Sequence, residues 1–259
     1  MKKTLLMTTA LVAVFSATNV CAEDWTISSD ETITNQYIAK DNVTLSEGTV
    51  NISGNDSGII ANGNFVMNNG TLTASSTGGS ADTGVFVRGE NSSVTIENST
   101  INLTEARIAK GEEGVNSTGD VNISGGNITL NNQAYIEMYD SNTGSVKLSG
   151  GNLNIKNNSG VLLDGANNFT MTGGSLTATS NGNSADTGVF VKGNGADVNI
   201  QGGDINLTEA RIYKGNDTCI CFLPFNSILS KDSKAFLIFV NFSLSSFLVN
   251  SLLSIIIPH

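Results

Sequence analysis

The sequence predicts an all-β fold, a right-handed parallel β-helix (β-solenoid) of about eight coils, and two observations support this prediction. Residues 71–111 recur 104 positions later as residues 175–215, with 26 of 41 residues identical and no gap. A shorter unit, Φ-x-Φ-x-x-G-x-Φ-x-Φ with Φ apolar, recurs within and around that long repeat. A fixed period is typical of solenoids, in which each unit forms one turn and packs only against its neighbours.

Eight copies of the short unit follow one another along the chain. They begin at Trp25, Val43, Phe65, Val94, Val121, Val146, Phe169 and Val198. Their starts are 18 to 29 residues apart, so four units span about the length of the long repeat. The duplication is therefore interpreted as four coils copied once within one continuous solenoid.

Each unit contains two short stretches of alternating apolar and polar residues around a Gly-rich corner. Alternation with a period of two predicts strands that bury one face. A third apolar stretch follows in most units, beginning at Gly58, Gly84, Ala106, Gly160 and Gly188. We therefore expect three strands and two or three corners in each coil.

An antiparallel sandwich or a propeller would also contain short alternating strands. Hairpins favour two-residue turns such as Asn-Gly, spaced about 8 to 12 residues apart. Here the whole unit of about 25 residues recurs, and its strands are too short to bury much as isolated pairs. We favour coils stacked in parallel, with right-handed winding from the preferred handedness of parallel crossovers.

Composition suits the corners and strands of such a solenoid. The chain contains 33 Asn and 28 Gly, and both residue types tolerate the left-handed backbone conformations of tight corners. Pro, Cys and His are absent from residues 23–215, so no proline interrupts the strands there. The net charge is −10, and −12 without the first 22 residues, which argues against nucleic acid as a partner.

Residues 1–22 have the layout of a secretory signal peptide. Lys2 and Lys3 precede an apolar stretch, and small residues lead to Ala22. We expect cleavage between Ala22 and Glu23, because the apolar run is too short to span a bilayer comfortably as an anchor. Export of the mature chain follows from this prediction.

Residues 23–215 are predicted to form one β-helix domain, with long repeats at about 43–111 and 146–215. Residues 216–259 differ abruptly, because they lack glycine and contain both prolines, six of the eleven phenylalanines and the only histidine. Three interpretations of this atypical hydrophobic tail stay open. It is a frameshifted or truncated reading frame, a membrane anchor between Ala235 and Pro258, or an atypical cap over the last coil.

The tail also contains Cys219 and Cys221. Two thiols without further ligands fall short of a zinc site, so neither cysteine is given a role.

One group of charged residues is the best candidate for chemistry, and it occurs twice. The members are Glu105, Arg107 and Lys110 in the first copy and Glu209, Arg211 and Lys214 in the second. Four coils at about 4.8 Å separate the copies by about 19 Å, too far for a single site. Glu105 and Arg107 are expected to form an exposed ion pair of little energetic weight on the solvent face of a strand.

The remaining motifs have structural explanations. Asp82 and Asp186, in identical SADTGVFV segments, are predicted to form turns that enter strands. The segment from Gly193 is similar to part of a calcium-binding nonapeptide, but Asn199 replaces its apolar residue and nothing repeats at nine. The helix offers no histidine base and no phosphate-binding loop, so we predict no catalytic, cofactor or metal site.

With the preceding signal peptide and units such as VNISGGNITL, residues 23–215 resemble the passenger β-helices of bacterial autotransporters, the pertactin-like and adhesin-like family. This resemblance implies secretion through a C-terminal outer-membrane barrel and display on the cell surface, often for adhesion to host cells or other bacteria. No alternating barrel strands follow residue 215. The passenger is therefore expected to be truncated before its translocator.

The expected function is that of an exported, non-enzymatic β-helix passenger or adhesin-like fragment with a surface or structural binding role. Its partner is expected to be a surface ligand, either a host glycan or protein or another bacterium. Membrane association through the tail between Ala235 and Pro258 is a further expectation. The expected location is the cell surface, the outer membrane or the medium, or the periplasm for a truncated chain.

Two other functions are considered. A polysaccharide-degrading β-helix enzyme requires carboxylates about 5 to 10 Å apart on adjacent coils in a groove, and a smooth Asn/Thr face would contradict it. An ice-binding solenoid requires Thr-x-Thr on nearly every coil, whereas this pattern occurs only in places, such as Thr71 with Thr73. The ice-binding function ranks last.

Overall fold

The computed structural model of the protein describes residues 23–76, 78, 82–111, 116–181, 186–193 and 195–215 and the strand Ser227–Leu229. The secondary-structure elements of these residues are all β-strands. None of the described residues belongs to a helix with the length and apolar character needed to cross a bilayer. The predicted signal peptide with Ala22, and most of the predicted tail with Cys219 and Cys221, lie outside the described residues.

Short strands follow one another throughout the described chain. In chain order they are β1 (Trp25–Ile27), β2 (Glu31–Thr34), β3 (Tyr37–Lys40), β4 (Val43–Leu45), β5 (Thr49–Ser53), β6 (Gly58–Ala61), β7 (Phe65–Met67), β8 (Thr71–Ser75), β9 (Gly84–Val87), β10 (Val94–Ile96), β11 (Thr100–Thr104), β12 (Arg107–Lys110), β13 (Ser117–Thr118), β14 (Val121–Ile123), β15 (Asn127–Asn131), β16 (Tyr135–Met138), β17 (Asn142–Thr143), β18 (Ser145–Leu148), β19 (Asn152–Lys156), β20 (Gly160–Leu163), β21 (Asn168–Met171), β22 (Ser175–Thr179), β23 (Gly188–Lys192), β24 (Val198–Ile200), β25 (Asp204–Thr208), β26 (Arg211–Gly215) and β27 (Ser227–Leu229).

Three long sheets run side by side along the molecule. The first has the order β1-β4-β7-β10-β14-β18-β21-β24, the second β2-β5-β8-β11-β15-β19-β22-β25 and the third β3-β6-β9-β12-β16-β20-β23-β26. The chain visits the three sheets in turn and returns one strand further along each time, always in parallel. The predicted parallel β-solenoid with three strands per coil is confirmed.

Each long sheet has eight strands of this kind, so coils 1 to 8 are numbered from their first-sheet strands. The first and last of those strands are seven turns apart. Two short additions depart from the pattern. Strands β13 and β17 pair in parallel beside coils 4 and 5, and β27 pairs antiparallel with β25 at the end of the second sheet.

Residues stack directly above their counterparts in the preceding coil. Ile101, for example, lies between Leu72 and Ile128 in the second sheet. Continuing along the same column, Leu153 and Leu176 follow, and all five side chains are 0% exposed. Full burial of one such side chain contributes about 1.5–3 kcal/mol, so these stacked columns are the core of the fold.

Asparagines occupy several corners in the left-handed conformation. Asn35, Asn98, Asn132, Asn157 and Asn158 all have φ between 46° and 55°. Asparagines also bond to one another along the solenoid. The side-chain amide of Asn157 donates to Oδ1 of Asn131 on the preceding coil at 3.0 Å.

Candidate functional site

The third sheet presents two columns of side chains to the outside, because alternate residues of a strand face opposite ways. The first column consists of Tyr37, Gly58, Gly84, Arg107, Tyr135, Gly160, Gly188 and Arg211. The second column consists of Ala39, Ile60, Phe86, Ala109, Glu137, Leu162, Phe190 and Tyr213. Aromatic, apolar and charged groups thus meet on one face.

The second sheet has a very different outer face. Its middle outward column is Thr32, Asn51, Thr73, Asn102, Thr129, Asn154, Thr177 and Asn206. Thr and Asn alternate from coil to coil, so threonine recurs only on every second coil. This column is uncharged, and it lacks the Thr on nearly every coil that an ice-binding surface requires.

Arg107 joins coils 4 and 5 on the outer face of the third sheet. Its Nη1 donates to Glu137 Oε2 at 2.7 Å and to the Tyr139 hydroxyl at 3.1 Å. The Arg107 and Glu137 side chains are each only 14% exposed, which makes this ion pair largely shielded from water. Shielded pairs of this kind interact more strongly than exposed ones, and each partner depends on the other for compensation.

The surroundings of Arg107 shift the pKa values of Glu137 and of two nearby tyrosines. Burial raises the pKa of Glu137 above its ordinary value, and the charge of Asp164 acts in the same direction, although Arg107 opposes both. Burial also raises the pKa of Tyr139 and of Tyr135. Both phenols therefore stay protonated, and able to donate a hydrogen bond, throughout the physiological range.

An open cleft of about 360 Å³ begins beside this group and crosses the corners that follow the third sheet in coils 5, 6 and 7. The residues that line it are Glu137, Tyr139, Asp140, Asp164, Gly165, Lys192 and Gly193. Three carboxylates, an ammonium group and a phenol thus converge on one concave surface. Such convergent polar groups are what fixes the orientation of a polar ligand in a binding site.

Glycine keeps the corners beneath the cleft tightly stacked. Gly165 has φ +67°, and a Cβ there would lie 2.3 Å from the carbonyl oxygen of Asp140. Gly193 has φ +117°, and its Cβ would lie 2.3 Å from the carbonyl oxygen of Gly165. The backbone of three successive coils can therefore approach closely, which brings Asp140, Asp164 and Lys192 to the same cleft.

The four-coil repeat places similar aromatic groups twice on this face. In the first half, Tyr37 packs edge-to-face on Phe86, with ring centroids 5.9 Å apart, and its hydroxyl donates to the carbonyl oxygen of Asp82. In the second half, Tyr135 occupies the position of Tyr37 four coils on, and the negative charge of Asp186 contributes to its raised pKa. Asp82 lies in a turn just before β9, as predicted, and Asp186 occupies the corresponding place just before β23.

Arg211 differs from Arg107, although the two residues are four coils apart in the same column. Its guanidinium carbon lies 5.2 Å from the ring centroid of Phe190 and 5.5 Å from that of Tyr213. Cation–π contacts of this kind attract the guanidinium charge to the faces of the aromatic rings. The copied arginine therefore serves aromatic packing at coil 8 and an ion pair at coil 4.

The structure corrects two expectations about the repeated charged group. Glu105 and Glu209 lie at corners with φ of +51° and +50°, so neither is on the strand face where Glu105 was expected to pair with Arg107. Arg107 pairs with Glu137 on the next coil instead. Lys110 points into the core with 0% exposure, because it follows Arg107 by three residues and so faces the opposite side of the strand.

Other residues singled out in the sequence take ordinary places. Lys214 pairs with Asp197 at 2.5 Å near the last coil. Gly193 lines the cleft, and Asn199 stands on the outward position of β24, beside Thr170 of the preceding coil. Among the described residues, no three His, Cys, Asp or Glu side chains are grouped to hold a metal ion.

Sequence reasoning missed Glu137, Tyr139, Asp164 and Lys192 as members of a site. The charged residues were compared between copies four coils apart, whereas the groups that meet belong to adjacent coils. The usable signal was the coil register itself. It pairs Ala109 of β12 with Glu137 on the next coil. Tyr139, two residues after Glu137, therefore stacks on the residue that follows β12.

Comparison with known proteins yields one match. A protein-family model described as "Carbohydrate-binding domain-containing protein" matches residues 9–135, from before β1 to the first residue of β16. No curated protein and no solved structure matches the chain. The family match includes Arg107 but stops just before Glu137. The fold and the cleft together define a parallel β-solenoid with a polar candidate site beside its third sheet.

Proposed function

We propose that this protein is an exported, non-enzymatic β-helix that binds carbohydrate in the cleft beside Glu137 and Tyr139. The convergence of carboxylates, Lys192 and a protonated phenol on one open cleft is the observation that carries this proposal. Sugars expose many hydroxyl groups, which donate to carboxylates and accept from ammonium and phenol groups. The match of residues 9–135 to a carbohydrate-binding family supports the same ligand class.

Binding to a panel of soluble and insoluble polysaccharides tests this function. The double variant Asp164→Asn with Lys192→Ala removes a charge of each sign from the cleft, and the dissociation constant should rise about tenfold or more. The matched control is Asp204→Asn with Lys156→Ala on the exposed second sheet, which should bind as the wild type does. Equal binding by both double variants, or no binding to any glycan, contradicts the proposal.

Display on a bacterial cell surface is the cellular context that we propose for this binding. The resemblance of residues 23–215 to autotransporter passengers supports it, together with the predicted signal peptide. Protease added to intact cells should digest the protein while a periplasmic marker survives. Digestion only after the outer membrane is permeabilised places the protein in the periplasm and contradicts surface display.

Cleavage of glycosidic bonds is the second candidate function, and one observation favours it. Glu137 and Asp164 lie on adjacent coils of the same cleft, and Asp164 helps to raise the pKa of Glu137. A glycosidase needs one carboxyl group that holds its proton and a second that is ionised. Release of reducing ends from a bound glycan, abolished in Glu137→Gln and in Asp164→Asn, would establish this activity, whereas binding without release supports the non-enzymatic role.

A further inference from the structure

A buried polar cluster lies inside coils 4 and 5, apart from the cleft. Lys110 is the only charged residue among the fully buried side chains of the described chain. It occupies an inward position of the third sheet, between Val87 on one neighbouring coil and Met138 on the other. An amine at this position needs polar partners within the core.

Three groups surround the amine. Lys110 Nζ lies 3.2 Å from Ser117 Oγ, 3.3 Å from Asn142 Oδ1 and 3.5 Å from the carbonyl oxygen of Gly89. The Ser117 hydroxyl donates to the same Oδ1 of Asn142. The hydrogen bond from Ser117 polarises the side-chain carbonyl of Asn142 toward nucleophilic attack.

Neighbouring coils hold the Asn142 amide in place. Ser117 and Asn142 face each other in the small β13–β17 sheet. The Asn142 Nδ2 donates to Asn167 Oδ1 at 3.2 Å, and the Asn167 amide donates to the carbonyl oxygens of Tyr139 and Asp164. Asn142 and Asn167 are both 0% exposed, so this arrangement is fixed within the fold and shielded from water.

The amine is electrically uncompensated. No ion pair involving Lys110 occurs in the part of the chain that the structure describes. Burial lowers the pKa of Lys110 from 10.5 to about 8. An appreciable fraction, on the order of a tenth, is thus neutral near pH 7, and a neutral desolvated amine is a competent nucleophile.

We propose that Lys110 and Asn142 become joined by an intramolecular isopeptide bond. The Nζ lone pair attacks Cγ of Asn142, the Nζ–Cγ bond forms and the Cγ–Nδ2 bond breaks. A proton passes from Nζ to Nδ2 through the Ser117 hydroxyl, and Nδ2 leaves as ammonia. The step is balanced without an oxidant or a further reactant. Nζ lies 3.3 Å from Oδ1 of the Asn142 amide group, and this contact holds the amine beside the group that it attacks.

Such a bond would tie coil 4 to coil 5 within the solenoid. Residues 23–215 contain no cysteine, so this region has no disulfide to serve the same purpose. Cross-links restrict the unfolded chain, and exported proteins commonly depend on them. The proposal is independent of carbohydrate binding, because neither the two joined residues nor Ser117 line the cleft.

Mass spectrometry of the purified full chain tests this cross-link. The wild-type protein should be lighter than its sequence by one ammonia, and trypsin should fail to cleave after Lys110. Cleavage after glutamate separates residues 106–112, which contain Lys110, from residues 138–209, which contain Asn142. Only an isopeptide bond keeps these two peptides together after denaturation.

Two variants complete the test. Lys110→Arg should give the full sequence mass and two separate peptides, whereas the surface control Lys147→Arg should retain the linked pair. A wild-type protein of full mass with separate peptides overturns the proposal. So does loss of ammonia without a linked pair, which indicates cyclisation at an asparagine instead.

Discussion

At the scale of single residues, the ion pair of Arg107 with Glu137 is the clearest link between packing and the candidate site. The pair lies 2.7 Å apart with each side chain 14% exposed, and Arg107 also donates to Tyr139. Removing one partner leaves the other charge shielded from water without compensation. Arg107 therefore both stabilises coils 4 and 5 and orients two groups at the edge of the cleft.

Replacing Arg107 should test that double role. We expect Arg107→Met to lower the free energy of unfolding by about 3 kcal/mol, because the Glu137 carboxylate loses its counter-charge. Urea denaturation measures the change. Arg88, which is exposed at the corner after β9, supplies the control Arg88→Met, with an expected change below about 0.5 kcal/mol. Equal changes in the free energy of unfolding for the two substitutions would show that the Arg107–Glu137 ion pair adds no stability.

Glu137 should also give the protein a characteristic pH dependence. Its pKa is raised above 4.5, mainly by burial. Between 4.5 and the raised value, the folded protein holds a proton that the unfolded chain has lost, so stability falls as pH rises through this window. Carboxyl ¹³C NMR should report the raised midpoint directly. Glu137→Gln should abolish this part of the pH dependence, and an unshifted midpoint contradicts the burial of the group.

The contacts and backbone conformations of single residues were the hardest features to predict from sequence. Period-two alternation places Lys110 opposite Arg107, so its inward direction was available, but only the register shows that Ser117 and Asn142 reach it. Glu105 was expected on a strand, although it lies at a corner with φ +51°. Contacts between coils leave no local signal in the sequence. A glutamate in the left-handed backbone conformation leaves none either.

At the scale of elements, four third-sheet strands (β6, β9, β20 and β23) begin at glycine, and for two of them the physical reason is a close backbone contact. Gly84 has φ +138°, and a Cβ there would lie 2.0 Å from the carbonyl oxygen of Arg107 on the next coil. Gly188 repeats this arrangement against Arg211 at 1.8 Å. The strand entry is thus a point of close backbone contact, and the sequence pattern GVFV marks it twice.

Substituting alanine at such an entry should be costly. We expect Gly84→Ala to destabilise the protein by about 2–3 kcal/mol, because it combines strained backbone with a clash against a backbone oxygen. Gly195 is the matched control, since its φ is +83° but a Cβ added there would meet no atom within 4 Å. Gly195→Ala should cost only about 1 kcal/mol. Thermal unfolding compares them, and equal losses would contradict the close contact at Gly84.

Strands were largely predictable from the sequence, because alternation and glycine entries are local features. The eight predicted unit starts coincide with the first-sheet strands within one residue. The third strand of coil 5, Tyr135–Met138, has no glycine at its entry and was not singled out. That strand carries Glu137, so one strand of the candidate site lacked this local signal.

At the scale of the whole molecule, the solenoid is stabilised by contacts between successive coils. Strand β11 alternates buried and half-buried residues along its length, whereas β25 near the last coil exposes three of its five residues. A coil in the middle has two neighbours and a terminal coil fewer. Stability should therefore decrease from the centre toward both ends.

Hydrogen exchange should reveal that gradient. We expect amides of β11, β15 and β19 to exchange at least about tenfold more slowly than those of the edge strands β1 and β26, because terminal coils open without disrupting the centre. Mass spectrometry of deuterated peptides makes the comparison. Uniform protection along the chain would instead indicate a single cooperative unit.

The long-range plan was predictable from sequence because a repeat fixes which residues lie above one another. The four-coil duplication correctly placed Arg107 and Arg211 in one column. The cleft was not predictable in this way, because it depends on corners of three successive coils that differ between the copies. Right-handed winding rests on the preference of parallel crossovers and stays a prediction.

The most direct test of the central claim is a crystal structure with an oligosaccharide from whichever glycan the protein binds. The account predicts sugar density in the cleft, with hydroxyl groups within hydrogen-bonding distance of Tyr139, Asp164 and Lys192. Sugar bound instead along the Thr/Asn face of the second sheet, with the cleft empty, would contradict it.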